Sequence, residues 1–399
     1  MAPDLPIGAR VRHFRGERRQ DVVAGLVGIS VDYYSQIERG LRIPTVAVLR
    51  RIAQELGVPT AALLAEGPVA AAKAPDTAAP SVTQALMGCG PGRRAEPADP
   101  IALRARVEAA WRSWQTSPTR FSEAADTLPA LIADTEHAVR VHRPGPDAGL
   151  RRDTLRVSAE LYFLLRSYLR RTGRVDLSML AADRAMRAAE DADDPLRIAA
   201  AQWNLGHVLL AVGDPDGAEQ VVLKGAEQLA PHAEARDSKC AAMQGALHLV
   251  SVIALSRRKD WWAARDRLRN IVVPAAKQAG EGNIMWTVFG PTNVELHAVS
   301  IEMEAGESSE ALYRAEQVDP STAPSMERSF TFLLEVGRCY DLRRDDSSVL
   351  LQLLQAEALA PEDLARTQLA RDLVLSLMRR ARTMHARQAE ALAGRMGIL

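Results

Sequence analysis

The chain has 399 residues, 47% hydrophobic and 25% charged, with 50 basic and 50 acidic side chains; this exceeds one ordinary core, excludes disorder throughout, and supplies apolar material for more than one packed unit. Only 5% of residues are aromatic, and β-branched runs are scarce beside Ala, Leu, Arg and Glu, so an all-α protein is expected. Cys89, Cys240 and Cys339 have neither metal-ligand nor disulfide spacing, the start lacks a signal-like pattern, and the apolar stretch from Ala246 to Leu255 is short and broken by His248 and Ser251, so a cytoplasmic protein with no membrane partner is expected.

From Ile7 to Leu64 there are nine arginines against five acids, an excess of four positive charges that the remainder of this neutral chain must balance. Such a basic module on an acidic body fits nucleic-acid binding with a separate regulatory part, and a solvated helix face gives the same count. Local signals predict five short helices. Ile7, Val11 and Phe14 share one face of the first, and the second runs from Gln20 to Val27 and stops at Gly28. Ser30 caps a third that Gly40 ends, Pro44-Thr45 open a fourth closed by Gly57, and Pro59-Thr60 open a fifth.

The second and third of these have helix-turn-helix anatomy, with Ala24 where two helices touch, Gly28 at the turn and Ile37 beneath the recognition helix. The run Ser35-Gln-Ile-Glu-Arg-Gly40, with Ala24, Gly28 and Pro44 at these offsets, resembles the xenobiotic-response-element, or Cro/phage-repressor-like, helix-turn-helix domain over about residues 7 to 64. The resemblance implies base contacts from Val31, Asp32 and Gln36, with Tyr33 reaching the backbone or a base. Chemically, Gln36 suits adenine, Asp32 the cytosine amino group and Val31 the thymine methyl. By the same resemblance Gln20, Arg39 and Arg42 contact phosphates, and Glu38 holds an arginine of the first helix, Arg10 or Arg12. Arg19 departs from the pattern, which places a capping Ser or Thr there; losing that cap costs about 1 kcal/mol, and a phosphate is the other partner open to it.

Residues 65–100 contain six prolines and little periodicity, which reads as a flexible Pro/Ala-rich linker between a DNA-binding domain at 1–64 and a helical domain at 101–399. A short helix is compatible with Val82 to Met87.

After Ile101 the pattern is helix pairs in series. In the clearest, Leu205, Gly206 and Leu209 lie on one helix, Gly213-Asp214 make a turn, and Ala218, Val222 and Gly225 face back from the next. This resembles a tetratricopeptide repeat, with Trp203 and Pro231 each one place from the motif position. Comparable turns recur at Gly173, Lys259-Asp260, Gly306-Glu307 and Arg344-Asp345, with one more pair over Ile101 to Arg140 and a capping helix over Leu364 to Met384. Stacked pairs of this kind form an α-solenoid with a concave face.

The whole chain resembles bacterial regulators in which such an array dimerises and binds a signalling peptide or small molecule. That implies a dimeric, sequence-specific transcriptional regulator of double-stranded DNA. Projecting the repeat alignment turns Glu160, Phe163, Glu335 and Arg338 inward, together with the ligand candidates Trp203, Asn204, His207, Asn293 and His297. Asn is the most informative, because its amide both donates and accepts; Trp203 fits a core position equally well. Gly290-Pro291 break the helical pattern near the concave rim, and the pair Trp261-Trp262 leaves one ring exposed, in keeping with a dimer seam. No HExxH, phosphate loop, GxSxG or Cys/His cluster is present, so neither an enzyme nor a cofactor is expected. Two alternatives remain open: a protein-interaction scaffold whose helix-turn-helix serves assembly, and a constitutive repressor without a ligand.

Overall fold

Turn chemistry divides the N-terminal segment as the sequence indicates. In the computed structural model, α1 (Ile7–Arg15), α2 (Gln20–Val27), α3 (Val31–Glu38) and α4 (Val46–Leu56) follow one another. Gly28 and Gly57 close α2 and α4 in the left-handed region, at φ 73° and 69°, where a Cβ would be strained. The Ser30 hydroxyl accepts from Tyr33 N at 3.2 Å, and the Thr45 hydroxyl accepts from Val48 N at 3.4 Å. Val11, Val23, Tyr34, Ile37 and Ile52 are buried together beneath these helices.

The structure describes residues 7–16, 18–42, 44–58, 60, 63, 79–89, 96–234, 238–322, 324–380 and 383–398. Apart from Thr60 and the fully buried Leu63, the predicted fifth helix lies outside them, as does most of the predicted linker. The chain divides into two compact units, Met1–Pro75 and Asp76–Leu399.

Within the second unit, part of the proline-rich stretch is packed rather than free. α5 (Pro80–Leu86) has a proline in its first turn and buries Val82, Ala85 and Leu86 on one face. It is tied down at both ends: Ala79 N donates to the Tyr168 hydroxyl at 3.0 Å, and Arg184 donates to the Leu86 carbonyl at 2.9 Å. Proline density therefore misleads here, because proline at the start of a helix costs no hydrogen bond.

Helix pairs follow in the expected order. They are α6 (Pro100–Thr116) with α7 (Arg120–His142), α8 (Ala148–Arg171) with α9 (Val175–Asp191), and α10 (Pro195–Val212) with α11 (Pro215–Glu234). α12 (Ser238–Arg257) faces α13 (Trp261–Arg267), which continues through a π turn at Leu268–Val272 into α14 (Val273–Ala279); Pro274 just beyond it has no N–H to offer. Next come α15 (Pro291–Glu304) with α16 (Ser308–Ala315), and α17 (Met326–Leu342) with α18 (Asp346–Leu359). A left-handed residue stands in every predicted inter-helix turn: Gly173, Gly213, Lys259, Gly306 and Arg344.

Where one capping helix was expected over Leu364 to Met384, three shorter ones occur, α19 (Pro361–Arg366), α20 (Gln368–Arg380) and α21 (Thr383–Arg395). Thr367 is extended, and its hydroxyl bonds back to the Asp363 carbonyl at 2.7 Å, interrupting the helix between α19 and α20.

The small residues of the clearest pair act as their spacing implies. A Cβ on Gly206 would lie 2.6 Å from Val222 Cγ1 and 3.2 Å from Val250 Cγ1, so α10 packs there more closely than a side chain allows without displacing these valines, whereas one on Gly225 would meet the movable end of Gln202 at 2.4 Å. α12 is long and apolar enough to cross a membrane, but 67% of its most apolar window is buried within the array, as for a core helix. Trp261 packs against the core, whereas Trp262 is 79% exposed.

The first and last pairs are joined. Arg120, 1% exposed, donates from Nε to Asp363 Oδ2 at 3.0 Å, makes a second contact to the same carboxylate, and reaches Glu327 at 3.2 Å.

Candidate nucleic-acid interface and effector cavity

Helical geometry sorts the residues of α3 onto two faces. Tyr34 and Ile37 are buried, while Val31 (45% exposed) and Asp32 lie open and Tyr33 and Gln36 are partly exposed. Val31, Asp32 and Gln36 thus reach solvent along α3, whereas Tyr33 is partly packed against the core of the N-terminal unit. Gln36 Nε2 donates to Asp32 Oδ2 at 2.8 Å, holding the two side chains in one arrangement. Arg39 and Arg42 are exposed just beyond the helix, and the Arg42 guanidinium stands 5.9 Å from the Tyr33 ring centre.

Glu38 organises the interior side. The first-helix arginine that clasps it is Arg15, not Arg10 or Arg12: Arg15 Nε and Nη2 donate to its two oxygens at 2.6 and 3.1 Å. Arg15 sits on the side of α1 that lies over the end of α3, a placement the alignment alone could not fix. Gln20 also points inward, donating from Nε2 to Glu38 at 2.6 Å, so one of its two amide hydrogens is already used. Arg19 pairs with Asp21 at 2.6 Å and supplies no side-chain cap to α2. Gly8 was not singled out in the sequence; a Cβ there would fall 2.2 Å from the Ile37 carbonyl oxygen, which makes glycine the condition for α1 to dock on α3.

In the helical unit the projected residues separate. Trp203, His207, Asn293 and His297 border adjoining cavities that also touch Arg328. Asn204 does not join them: its Oδ1 accepts from Arg166 at 2.6 Å and its Nδ2 donates to the Ala200 carbonyl at 2.7 Å, so both ends of the amide are bound internally. Asn293 is 2% exposed, and its Oδ1 has no hydrogen-bond partner among the described residues. Glu160 is buried against Arg197, Phe163 is sealed in the core, and Arg338 is exposed.

The largest of these cavities, about 250 Å³, lies among α8, α10, α12, α15 and α17. Its apolar wall includes Leu210, Ile253 and Ile301; its charged wall includes Arg170, Arg171, Arg328, Glu327 and Glu335. A smaller space beside it is bordered by Trp111, Trp114, Trp203 and Trp286, four of the six tryptophans of the chain. Sequence reasoning missed the arginines. The available signal was the run Leu164-Leu-Arg-Ser-Tyr-Leu-Arg-Arg171, where cations interrupt a buried apolar helix.

The electrostatics follow from crowding cations away from water. Burial opposes charge on Glu327, but Arg171, Arg120, Arg328 and Arg170 hold it well below the usual carboxylate range. Burial and then Arg171 push Arg170 down to about 10. Burial, followed by Arg166, Arg170 and Arg328, keeps His207 well below its ordinary value, and burial with Arg328 does the same to His297. Glu335 is pushed up to about 7 by burial, against a Ser300 hydrogen bond that favours the carboxylate. Burial is the first cause acting on each of these groups, and Arg328 acts on every one of them.

A strained segment forms part of the wall. Met285, Trp286 and Val288 have φ of 45°, 64° and 56°, unusual for any residue with a Cβ and most of all for β-branched Val288. Side chains hold this path: Asn283 Oδ1 accepts from Val288 N at 3.1 Å, Asn283 Nδ2 donates to Gln115 Oε1 at 2.6 Å, and Gln115 Nε2 donates to the Trp286 carbonyl at 3.1 Å. Trp286 stacks on Trp111 with ring centres 5.2 Å apart and planes within 3°. The break expected at Gly290-Pro291 thus begins several residues earlier, and Pro291 opens α15.

No curated protein sequence matches the chain. The crystal structure of Bacillus thuringiensis PlcR in complex with the peptide PapR7 and DNA aligns over 88% of this chain and 98% of that one, at 12% identity and a TM-score of 0.28, a likeness that carries no argument. The helix-turn-helix domain family matches residues 6–66, the segment holding α1 to α4. The N-terminal unit of this chain therefore carries a helix-turn-helix domain.

Proposed function

We propose that the protein is a sequence-specific, DNA-binding transcriptional regulator of the xenobiotic-response-element type, whose helix pairs form a tetratricopeptide-like sensing array. The observation that carries this reading is the solvent-facing part of α3, where Val31, Asp32 and Gln36 are presented with Tyr33 partly exposed beside them and Arg39 and Arg42 following. That face suits major-groove edges, and the arginines suit the flanking phosphates. As a cytoplasmic homodimer it would place two recognition helices on half-sites about 34–36 Å apart and read an inverted repeat. The array supplies a cavity for an effector and no catalytic constellation is assigned to it.

The test is selection from a randomised DNA library with the full-length protein, alongside an Asp32→Ala/Gln36→Ala variant. A palindromic motif retained by the parent and lost by the variant supports the reading, and affinity for that motif should fall steeply between about 50 and 200 mM salt as counterions are released. No motif from a folded sample, or a flat salt dependence, favours the scaffold alternative.

A further inference from the structure

Of the cations lining the cavity beneath α17, Arg170 and Arg328 form no direct ion pair among the described residues, and both share the Glu327 carboxylate at longer range with Arg171 and Arg120. Arg171 contacts Glu327, Arg257 pairs with Glu304 at 3.4 Å, and Arg120 is shared by Glu327 and Asp363. Arg170 and Arg328 line the same space, and among the described residues neither has a carboxylate within ion-pair distance or a side-chain hydrogen bond; Arg170 Nε is buried with no partner. Glu335, the remaining acid on this wall, accepts from Ser300. Two guanidiniums partly removed from water and set beside further cations cost free energy that a bound anion would recover. The wall opposite is apolar, formed by Leu210, Ile253 and Ile301.

We propose that this cavity of about 250 Å³ binds a small carboxylic acid, its carboxylate between Arg170 and Arg328 and its apolar body against Leu210, Ile253 and Ile301. The volume lies just under the usual range of about 300–1,000 Å³ for ligand pockets, which favours a compact acid over a long peptide. Guanidinium forks select a carboxylate by paired, charge-assisted hydrogen bonds. A broader depression of about 560 Å³ between α6 and α7 is a weaker candidate, because Arg106 is satisfied by Asp134 and Glu123 by Ser113, Ser117 and Thr119, while Asp126 is exposed to water.

This proposal rests on the sensing role assigned above to the array. It is tested by calorimetric titration of the full-length protein with 2-naphthoate, 2-naphthamide, inorganic phosphate, and a tetra-alanyl-phenylalanine peptide with a free or an amidated C-terminus. One saturable site for naphthoate is expected, with the neutral amide and bare phosphate weaker by about tenfold or more. Arg170→Gln and Arg328→Gln should each weaken naphthoate by about tenfold or more, whereas Arg187→Gln, at an exposed position of α9 outside the cavity lining, should match the parent. Far-UV circular dichroism establishes that each variant is folded, and Arg→Lys at the same two positions should restore part of the affinity if charge is what matters. Equal binding of acid and amide, folded Arg→Gln variants that bind like the parent, or no saturable binding of the acid would overturn the proposal. Binding of the free-terminus peptide alone would overturn the small-acid assignment and move the carboxylate to a chain end. The same preparation is carried through the DNA selection: a motif without acid binding refutes the cavity proposal and leaves the regulator reading standing, and acid binding without a motif does the reverse.

Discussion

Arg15 and Glu38, one at the end of α1 and the other at the end of α3, meet through two hydrogen bonds of 2.6 and 3.1 Å, with the Glu38 side chain only 2% exposed. The recognition helix is thereby locked to the first helix at its C-terminal end, while Gln20 joins the start of α2 to the same carboxylate. Glu38→Ala leaves Arg15 and the Gln20 amide without their acceptor. Because Arg15 retains partial access to water, the expected cost lies somewhat below that of a fully buried pair, about 2–4 kcal/mol. Hydrogen exchange on the intact protein should show faster exchange in α1 to α3 and unchanged protection in the helix pairs; uniform protection in both would contradict the linking role.

The Gln36–Asp32 contact makes a separate prediction about reading bases. On the selected site, Gln36→Ala is expected to weaken binding by about 1–3 kcal/mol and relax preference at one base pair. Since Asp32 positions Gln36 at 2.8 Å, the two substitutions should be non-additive, with a coupling of about 0.5–3 kcal/mol in a double-mutant cycle. Strict additivity would mean that the two side chains act on the DNA independently.

Glu335 supplies a pH signature. Its neighbours are Ser300, Glu304, Arg328 and Arg338, and burial pushes its carboxyl up to about 7 in the folded chain. The folded state therefore holds a proton that the unfolded chain releases near the ordinary glutamate value, and stability contributed by this group falls as pH rises toward and through about 7. His207 and His297 act in the opposite sense, since their lowered values cost stability as pH falls below the ordinary histidine range. Subtracting the Glu335→Gln variant isolates the first effect: the variant should gain melting temperature relative to the parent as pH is raised from about 5 to 8. A difference independent of pH would show that Glu335 titrates normally.

Gly245 faces the strained segment. A Cβ there would lie 2.4 Å from Phe289 Cζ and 3.2 Å from Ala275 Cβ, so Gly245→Ala must displace the ring that anchors residues 285–289. Overpacking of this kind costs about 1–3 kcal/mol. A lowered melting temperature should accompany altered tryptophan fluorescence, because Trp286 belongs to the same path; a variant with the parent's stability would mean that Phe289 shifts freely.

Much of the fold was legible because it rests on local rules. Gly28, Ser30, Thr45 and Gly57 act through neighbours within a few residues, and the inter-helix turns at Gly173, Gly213 and Gly306 need only a left-handed backbone. The exposed positions of α3 came from the family resemblance, which places Val31, Asp32 and Gln36 toward DNA and Ile37 beneath the helix, and they do lie toward solvent while Ile37 is buried. What escaped depends on partners distant in sequence. Arg15 rather than Arg10 or Arg12 meets Glu38 because of how α1 crosses α3, and Asn204 is withdrawn from the cavity by Arg166, 38 residues earlier. Helix α5 was foreseen over Val82 to Met87, but its packing was not, because the surrounding prolines look like those of a linker until Val82 and Leu86 find a core.

The bond between Arg120 and Asp363, 243 residues apart, bears on how the array comes undone. Chains of stacked repeats with only nearest-neighbour contacts melt unit by unit from their ends. Here Arg120 of α7 is shared by Glu327 of α17 and Asp363 of α19, so α7 cannot leave these helices without stranding a charge in the interior. Opening at α7 is then coupled to loosening of α17 and α19, at contacts 207 and 243 residues further along the chain, and does not stop at its sequence neighbours.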